Sequence, residues 1–485
     1  MIESGDKKRL SEVSKTLYDI SRQVRILGHL SWPKAVRYTF FRSGSQKLPE
    51  VEYPRFESSE IKKRLRLARS QLGDLPQDKW LLKKSRDIEA GVNLISSCGT
   101  KEFFKHSSLI YGTPNKKLRD GKTTPMDLTK QFASFMNAHS IISKQANASD
   151  TVSVMEIRDR IEVKVKKVFG KDSPEVIVSD GISAKATASS KRIKLRRGAR
   201  FTKRDVDQLI NHEAMVHVAT TLNGRLQSSM KILGGNYGAV TKTQEGLAVF
   251  SEFITGCIDT HRMRRVMNRV EAIQMASDGA DFIQVYRYFL EKSRLKTEAF
   301  ENARRIFRGG VMTGGYPFTK DVVYLDGLVR VHNFIRAVVS RGRNDVLELL
   351  FSGKMELDDM PLMIKLKEEG MLVTIPPGAS AVLETGLKIE VPENHMIQIM
   401  NRSSVASKRQ LVTGACVVDR GYDGELFINL HNIGSKAQTI ESGSKIAQSV
   451  CIPISIPELV ELGVDNIYLG DTDRGDGGFG STGER

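Results

Sequence analysis

Residues 212–217 read His-Glu-Ala-Met-Val-His, and the fold prediction starts from this stretch. Two histidines beside a glutamate on a predicted helix are typical of a zinc site in which Glu213 acts as general base. Residues four apart share one face of an α-helix, whereas His212 and His217, five apart, diverge by about 140°. The two side chains can therefore share one metal only if the helix bulges or ends between them. The alternative is a helix that carries two unrelated histidines.

A second motif, Gln-Glu-Gly-Leu-Ala at 244–248, opens another apolar helix. Further short motifs lie on either side of these two: Leu30-Ser31-Trp32-Pro33, Leu48-Pro49, Arg308-Gly309-Gly310, Thr313-Gly314-Gly315, Pro317-Phe318-Thr319-Lys320-Asp321 and Tyr324. Over roughly residues 10–345 the set resembles the QEGLA-motif family. Its bacterial members are known as flavohemoglobin expression-modulating proteins, and its eukaryotic members include the microtubule-associated tyrosine carboxypeptidase.

The resemblance implies a zinc metallopeptidase fold with His212, His217 and Glu245 as metal ligands, and it accepts the five-residue spacing. Three protein ligands leave one zinc position for a water molecule, whose proton Glu213 can accept. The expected activity is that of a zinc carboxypeptidase. The tubulin-tail activity of the eukaryotic relatives would require an acidic peptide as substrate.

Three further side chains in the C-terminal motifs are candidates for binding the peptide: Arg308, Lys320 and Tyr324. Two cations and a phenol can bind a peptide carboxylate or an oxyanion. The alternative is a structural turn with surface charges.

The first 350 residues are predicted to be mostly helical. Apolar residues recur at helical intervals from Leu10 to Val24. Similar patterns predict helices near 57–73, 84–97, 125–145, 152–168, 205–221, 244–257, 263–275, 279–292, 296–307 and 320–340. Two short β-rich runs, 175–179 and 192–195, are separated by a Ser/Ala-rich turn. The prediction is a mostly α (α+β) domain.

From about residue 370 the pattern changes to short Val/Ile-rich runs that alternate with Pro/Gly turns. This alternation predicts an antiparallel, many-stranded, all-β domain. Residues 351–362 are the predicted linker. The chain is therefore expected to be a multidomain protein, with a metallopeptidase-like domain over 1–350 and a β domain over 363–485.

Four motifs stand in order in the β domain: NRSSVASK at 401–408, VDRGYDGE at 418–425, GSKIAQ at 443–448 and RGDGGFGSTG at 474–483. They are similar to motifs two to five of the trimeric dUTPases, which hydrolyse dUTP to dUMP and pyrophosphate with Mg²⁺. The resemblance implies a dUTPase-like barrel that binds dUTP. Because the family's active site combines three subunits, it also implies a homotrimer.

The four motifs also imply site residues. Arg402, Ser403 and Ser404 would donate hydrogen bonds to phosphate oxygens, and the amide of Gln448 would contact phosphate or base.

In the next motif, Asp419 would orient or deprotonate the attacking water, and Tyr422 would pack under the deoxyribose and exclude a ribose hydroxyl. The glycine-rich tail is expected to close over the nucleotide through four side chains: Arg474, Phe479, Ser481 and Thr482. The alternative for this tail is a disordered segment without a role in binding.

The first dUTPase motif, which carries an Asp that helps hold Mg²⁺, is absent upstream of Thr374. Glu368 and Glu369 are the acidic residues that could substitute for it. The catalytic glutamate of the related dCTP deaminases would fall near Asn429, which cannot act as an acid or base. Nucleotide binding is therefore better supported than hydrolysis, and deamination is disfavoured.

Three function classes follow. In the first, the protein is a bifunctional hydrolase, a zinc carboxypeptidase joined to a dUTP diphosphatase. In the second, the barrel is a catalytically impaired dUTP sensor or trimerising platform that controls the peptidase. In the third, both parts are degenerate and the protein is a binding scaffold.

The net charge of +17 over 485 residues is unevenly spread. Residues 351–485 hold 12 Lys+Arg and 19 Asp+Glu, whereas residues 1–350 hold 62 and 38. The basic excess of the first part indicates an acidic partner, such as an acidic peptide or a nucleic acid. The alternative is a lysine-rich, solvated surface.

The four cysteines are scattered, without a CxxC pair, and predict reduced thiols in a cytoplasmic protein. Residues 1–15 lack a hydrophobic signal core, so export is not expected. No run of about 18 apolar residues occurs, so the sequence predicts no bilayer-spanning segment.

Overall fold

The secondary structure follows the two patterns of the sequence, helical first and then β. A computed structural model describes residues 2–461, except 139–150, 171–172, 181, 183–184, 190, 200, 228, 370, 373, 376–378, 436–437, 441–442, 456 and 458–460. The chain divides into two units, Met1–Val373 and Thr374–Arg485.

The first unit is built mainly from α-helices. The helices before the small β element are α1 Ser4–Ser21, α2 Ile26–His29, α3 Lys34–Arg42, α4 Ser59–Ser70, α5 Pro76–Ser96, α6 Lys101–Tyr111, α7 Pro125–Ala138 and α8 Val154–Phe169. The later helices are α9 Lys203–Leu209, α10 Ala219–Leu226, α11 Thr241–Ile254, α12 Thr260–Ser277, α13 Phe282–Ser293, α14 Lys296–Phe307, α15 Val323–Val339, α16 Asn344–Leu350 and α17 Met360–Glu368.

Three apolar clusters form the core of this unit. The largest joins α1, α4 and α5 to α11 and α15, and it contains the stripe from Leu10 to Val24 that the periodicity predicted to be buried. A second, aromatic cluster lies between α3, α13 and α14. A third packs α8 and the small sheet against α9 and the segment that follows α9. The motif at 212–217 therefore lies in a segment that packs against apolar side chains on both sides.

The small β element has one strand more than predicted. Strands β2 (Glu175–Ser179) and β4 (Arg192–Arg196) pair in parallel, and β3 (Ala186–Ala188) pairs antiparallel with β4. The predicted Ser/Ala-rich turn thus contains a strand, because pairing with β4 satisfies its backbone and buries Ala186. Two-residue strands β1 (Thr151–Val152) and β5 (Phe201–Thr202) also pair.

The segment predicted as a linker, 351–362, is packed into the first unit. Met355, Leu357 and Met360 are buried in the largest core cluster, and α17 continues the packing with Met363 and Leu366. The unit therefore extends beyond the predicted boundaries at 350 and 363. The apolar residues of this segment have helical spacing over a single short turn. A pattern this short does not distinguish a packed segment from a linker in the sequence.

Among its described residues, the second unit has short strands and one helix. Its elements are β6 Thr374–Ile375, β7 Ser380–Glu384, β8 His395–Asn401, α18 Ser403–Arg409, β9 Leu411–Thr413, β10 Val417–Val418, β11 Phe427–Asn432, β12 Gln438–Thr439 and β13 Ala447–Pro453. The described strands pair antiparallel in three small sheets, ordered β10-β8-β13, β7-β11-β9 and β12-β6. The predicted β character is confirmed, whereas closure into a barrel stays a prediction.

Within the described part of the chain, none of the helices is both long enough and apolar enough to cross a bilayer.

Candidate functional site

The motif at 212–217 lies on a π-helix. Residues Ile210–Val218 form this wider helix between α9 and α10. A π-helix bonds each residue to the fifth one along, so side chains five apart come close to one face instead of diverging. The rings of His212 and His217 consequently meet, with their centroids 4.9 Å apart. The bulge that the sequence required for a shared metal is therefore present.

Glu245, the glutamate of the second motif, completes the group with the two histidines. Within the described residues these three side chains form a group able to hold a metal ion, with ligand atoms all within 4.8 Å of one another. Glu245 Oε2 lies 3.5 Å from His212 Nε2 and 3.7 Å from His217 Nε2. Ligand atoms about 2.1 Å from a tetrahedral zinc ion are about 3.4 Å apart, so both the donors and their spacing fit zinc.

A second carboxylate, that of Glu252, contacts the ring nitrogen of His212 that faces away from Glu245. Sequence reasoning missed this residue. The His212 Nδ1 and Glu252 Oε1 atoms are 2.7 Å apart. Glu252 is buried and accepts further hydrogen bonds from Arg262, at 3.1 Å, and from Gln208, at 2.9 Å. A carboxylate behind a histidine ligand fixes its tautomer and ring orientation, which leaves Nε2 directed at the metal position.

One sequence signal could have indicated Glu252. It stands seven residues after Glu245 on α11, about two turns along the same helix face, where its neighbours are apolar. No comparable signal marks Arg262 or Gln208, because both belong to other helices.

The charges of this group are strongly coupled. Burial alone would lower the pKa of His212, but hydrogen bonds from its ring to Glu245 and Glu252 raise that pKa to about 10. Burial would raise the pKa of Glu245, yet the Lys320 ammonium and the two histidines hold it well below its usual value. The site thus contains a carboxylate that stays ionised and is ready to act as a ligand.

The remaining residues of the motif at 244–248 have packing and hydrogen-bonding roles. Gln244 accepts a hydrogen bond of 2.8 Å from Thr220 on α10, and Leu247 is buried in the core. At Gly246 a Cβ atom would come within 2.3 Å of the Gly327 backbone, so α11 and α15 touch at these two glycines. The motif therefore ties the ligand helix to both of its neighbours.

The three predicted peptide-binding residues line the same pocket as the metal group. Lys320 is already engaged, because its Nζ donates to Glu245 Oε1 at 2.8 Å and it lies over the Tyr324 ring at 5.3 Å. Arg308 is buried with its guanidinium 5.5 Å from the Phe318 ring centroid. Lys320 is thus engaged with Glu245, whereas Arg308 and Tyr324 form part of the pocket wall.

The turn that follows Arg308 is fixed by the N-terminal motif. Tyr53 Oη accepts hydrogen bonds from Trp32 Nε1, at 2.8 Å, and from the Gly309 amide, at 2.6 Å. Gly309 has a φ of 80°, and a Cβ there would meet the Phe103 ring at 2.3 Å. Motifs far apart in sequence therefore meet beside the metal pocket.

The pocket has a volume of about 2550 Å³ and is strongly basic. Among its described lining residues, Lys and Arg outnumber Asp and Glu by about three to one. The basic excess of residues 1–350 is therefore concentrated at this opening and is not merely dispersed over the surface.

In the second unit, strand β8 organises two of the predicted motifs. Arg402, Ser403 and Ser404 follow its C-terminal end, and strand β13 places Gln448 opposite Met400. The Gln448 side chain donates to the Asn401 carbonyl at 3.1 Å. The structure therefore brings these four predicted nucleotide-binding residues to one end of the sheet.

Asp419 lies toward the other end of β8, and the Tyr422 hydroxyl three residues later donates to the Glu425 carbonyl at 2.7 Å. Val418, directly before Asp419, is opposite Ile397, near the start of the strand. Five residues of strand separate Ile397 from Arg402, which corresponds to about 16 Å. One copy of the chain therefore does not bring Asp419 beside Arg402.

The remaining predictions for the nucleotide site divide into two groups. Arg474, Phe479, Ser481 and Thr482 lie outside the described residues. Glu368 and Glu369, suggested as substitutes for the missing motif, belong to the first unit, where Glu369 accepts a hydrogen bond of 2.7 Å from Gln77. Glu369 is therefore engaged within the first unit, and the suggested substitution stays a prediction.

Comparisons with known proteins agree with this division. The family model described as microtubule-associated tyrosine carboxypeptidase matches residues 38–380, and the dUTPase family model matches residues 371–483. A deoxyuridine 5'-triphosphate nucleotidohydrolase of Gloeothece citriformis is 41% identical over 128 residues, which cover 26% of this chain and 83% of the relative. The chain belongs to the microtubule-associated tyrosine carboxypeptidase family, and its C-terminal part belongs to the dUTPase family.

Both families are hydrolase families, as expected. The nucleotidohydrolase of Clostridium tetani is 42% identical over 113 residues, covering 23% of this chain and 74% of the relative. Among solved structures, the Staphylococcus bacteriophage 80alpha dUTPase with dUPNHPP has 29% sequence identity and a TM-score of 0.22. The match covers 23% of this chain and 81% of the bacteriophage chain. The family models and the curated relatives confirm the carboxypeptidase and dUTPase resemblances recognised in the sequence.

Proposed function

We propose that the first unit is a zinc carboxypeptidase with a zinc-metallopeptidase fold. The observation that carries the proposal is the convergence of His212, His217 and Glu245 within 4.8 Å. When bound there, zinc would polarise the scissile carbonyl and acidify a water molecule. Glu213, which is buried and lines the same pocket, accepts the proton of that water and passes it to the leaving amine.

Other side chains hold the peptide and the ligands in place. Arg308 and Tyr324 bind the peptide beside the metal position, and Lys320 keeps Glu245 oriented and ionised. The basic lining of the pocket favours an acidic peptide as substrate.

Metal analysis tests this assignment. The purified full chain is expected to contain about one zinc ion, and Glu245→Ala is expected to lose it, because two histidines alone hold zinc weakly. Glu291→Ala, at an exposed site on α13, serves as the control and should retain zinc. A chain without zinc, or a Glu245→Ala variant with unchanged zinc content, would contradict the proposal.

We further propose that the second unit hydrolyses dUTP to dUMP and pyrophosphate as a homotrimer. Family membership supports the reaction, and the separation of Asp419 from Arg402 along β8 supports a site shared between copies of the chain. Asp419 would act on the attacking water, and Tyr422 would pack against the sugar. Arg402, Ser403, Ser404 and Gln448 would bind the phosphates or base from one end of the sheet.

The proposed Mg²⁺ would be held largely through the substrate phosphates, as is common for this ion. Within the described residues, the second unit offers no group of three ligating side chains. The missing first dUTPase motif upstream of Thr374 favours the alternative, in which the unit binds dUTP as a sensor or trimerises the peptidase without turnover. The cytoplasmic location remains part of the proposal and rests on the four free cysteines.

A dUTP assay with Mg²⁺ separates the two possibilities. If the unit is an enzyme, the wild type should turn over dUTP and Asp419→Asn should abolish that turnover. The control Glu390→Gln, at an exposed site, should retain it. Tight binding of dUTP without turnover would instead indicate a sensor. For a sensor, dUTP must also change the rate of peptide cleavage, so an unchanged rate would exclude that role.

A further inference from the structure

Lys354 is a buried lysine of the metal pocket to which no role has been assigned. It lies between α16 and α17, in the segment that the sequence predicted as a linker, and the residue is 8% exposed. It lines the same pocket as Glu213 and Glu245. In the described part of the chain, its ammonium has no ion pair within 4.0 Å and no side-chain hydrogen bond.

The backbone around Lys354 is held by Leu233, by α10 and by α11, the helix that carries Glu245. Its amide donates to the Leu233 carbonyl at 2.6 Å, and Gly353 packs so closely that a Cβ would meet Leu233 at 2.6 Å and Gly224 at 3.2 Å. Gly224 belongs to α10, which continues the π-helix. Farther along, the Leu357 amide donates to Thr243 Oγ1 at 3.1 Å, two residues before Glu245.

A buried ion pair fixes the other side of the segment. Lys84 on α5 is fully buried, and its Nζ donates at 2.7 Å to both Glu356 Oε2 and Asp359 Oδ2. A buried cation with two carboxylate partners strongly restricts the segment that supplies them. Lys354 is therefore presented to the pocket by rigid backbone.

Two other buried cations of the pocket already have a carboxylate partner, which distinguishes Lys354 from them. Lys320 is paired with Glu245, and Arg305 is paired with Asp321 at 2.8 Å. Burial lowers the pKa of Lys354 to about 8, although the negative charges of Glu245 and Glu213 partly oppose that shift. A buried ammonium without a counter-charge is costly, and an anionic ligand would remove that cost.

We propose that Lys354 is a substrate-binding residue whose ammonium binds the C-terminal carboxylate of the peptide. The inference rests on the proposed carboxypeptidase function of the first unit. In such a substrate the carboxylate is one residue from the scissile carbonyl, so its cation must lie near the metal ligands and the base. Lys354 meets this requirement, since it lines the same pocket as Glu213 and Glu245 and its segment is hydrogen-bonded to Thr243, two residues before Glu245.

The test measures binding by calorimetry to the zinc-loaded Glu213→Gln protein, which should not cleave. The probe is an acetylated peptide of three glutamates and a C-terminal tyrosine, with either a free or an amidated C-terminus. The free acid is expected to bind about 10- to 100-fold more tightly than the amide. Adding Lys354→Met should abolish this difference while leaving the affinity for the amide nearly unchanged.

Lys203→Met is the matched control, because Lys203 also lines the pocket but is exposed. It should weaken both peptides alike and preserve their ratio. Lys354→Met should keep its zinc and its unfolding temperature, since the change removes an uncompensated buried charge. Loss of zinc or a clearly lower unfolding temperature would assign Lys354 a structural role and overturn the inference.

The outcomes also separate this inference from the function on which it rests. If the zinc-loaded wild type neither binds nor cleaves the peptide, the carboxypeptidase proposal fails, and the inference fails with it. If the protein discriminates acid from amide and Lys354→Met still does so, the inference alone is overturned. Equal weakening of acid and amide by Lys354→Met would indicate a contact with acidic side chains and would also overturn it.

Discussion

At the scale of single residues, the orientation of His212 depends on Glu252, a carboxylate outside the ligand group. Glu252 contacts His212 Nδ1 and is itself held by Arg262 and Gln208. The positive charge of Arg262 and the contact with His212 keep the pKa of Glu252 well below its usual value, against the effect of burial. The histidine is thus held by a permanently ionised partner.

We therefore expect Glu252→Gln to weaken zinc binding by about 10- to 100-fold, because the supporting charge is lost while the volume is kept. Competition with a chromophoric chelator measures the affinity. Glu301→Gln is the control, since Glu301 is also a buried glutamate with arginine partners but does not contact the histidines. Equal zinc affinities for wild type and Glu252→Gln would contradict this role.

At the scale of elements, the π-helix and the crossing of α11 with α15 place the ligands. The π-helix brings His212 and His217 to one face, and the glycine contact between α11 and α15 sets the position of Glu245. The five-residue spacing predicted that a bulge was needed, but local sequence does not reveal whether a helix adopts it. Tertiary packing on both sides of the helix decides this.

Gly246→Ala tests the crossing. A Cβ at this position would meet the Gly327 backbone, so the two helices must separate, which should cost about 1–3 kcal/mol of unfolding free energy. Zinc affinity should fall as well, because Glu245 is the adjacent residue. Denaturant unfolding and chelator competition measure the two effects.

Gly28→Ala is the matched control for this substitution. A Cβ there would make an ordinary contact of 3.7 Å with Arg25, so little change is expected. If Gly246→Ala behaved like Gly28→Ala in both measurements, the close helix crossing would not be required for the site.

At the scale of the whole molecule, the protein joins two hydrolase families in one chain. The net charge of +17 describes neither part, since the basic excess belongs to residues 1–350 and the later residues are acidic. The first unit concentrates basic side chains around its pocket. The second unit separates its predicted nucleotide-binding residues along β8, so its proposed activity depends on association of several chains.

Complementation tests this dependence. Arg402→Met and Asp419→Asn are each expected to abolish dUTP hydrolysis, whereas an equal mixture after subunit exchange should regain about one quarter of wild-type activity. The fraction follows because a site is complete when Arg402 comes from one variant and Asp419 from the other. A mixture that stays inactive, although sedimentation shows mixed oligomers, would place the whole site within one chain.

The amino-acid sequence by itself determined the chemical inventory of this protein and the order of its modules. Motifs at 212–217, at 244–248 and in the β domain identified both families, because catalytic residue types recur at fixed spacings along a chain. The helical and β patterns followed from apolar periodicity, which reports local burial. These features depend on neighbours in sequence, and sequence reasoning reaches them.

Tertiary structure alone decided which side chains meet. The support of His212 by Glu252, the pairing of Lys320 with Glu245 and the placement of Lys354 in the pocket all join separate elements. The segment 351–362 was predicted as a linker because its packing partners lie far away along the chain. Contacts of this kind depend on how helices cross and strands pair, and no local pattern of residues encodes those distances.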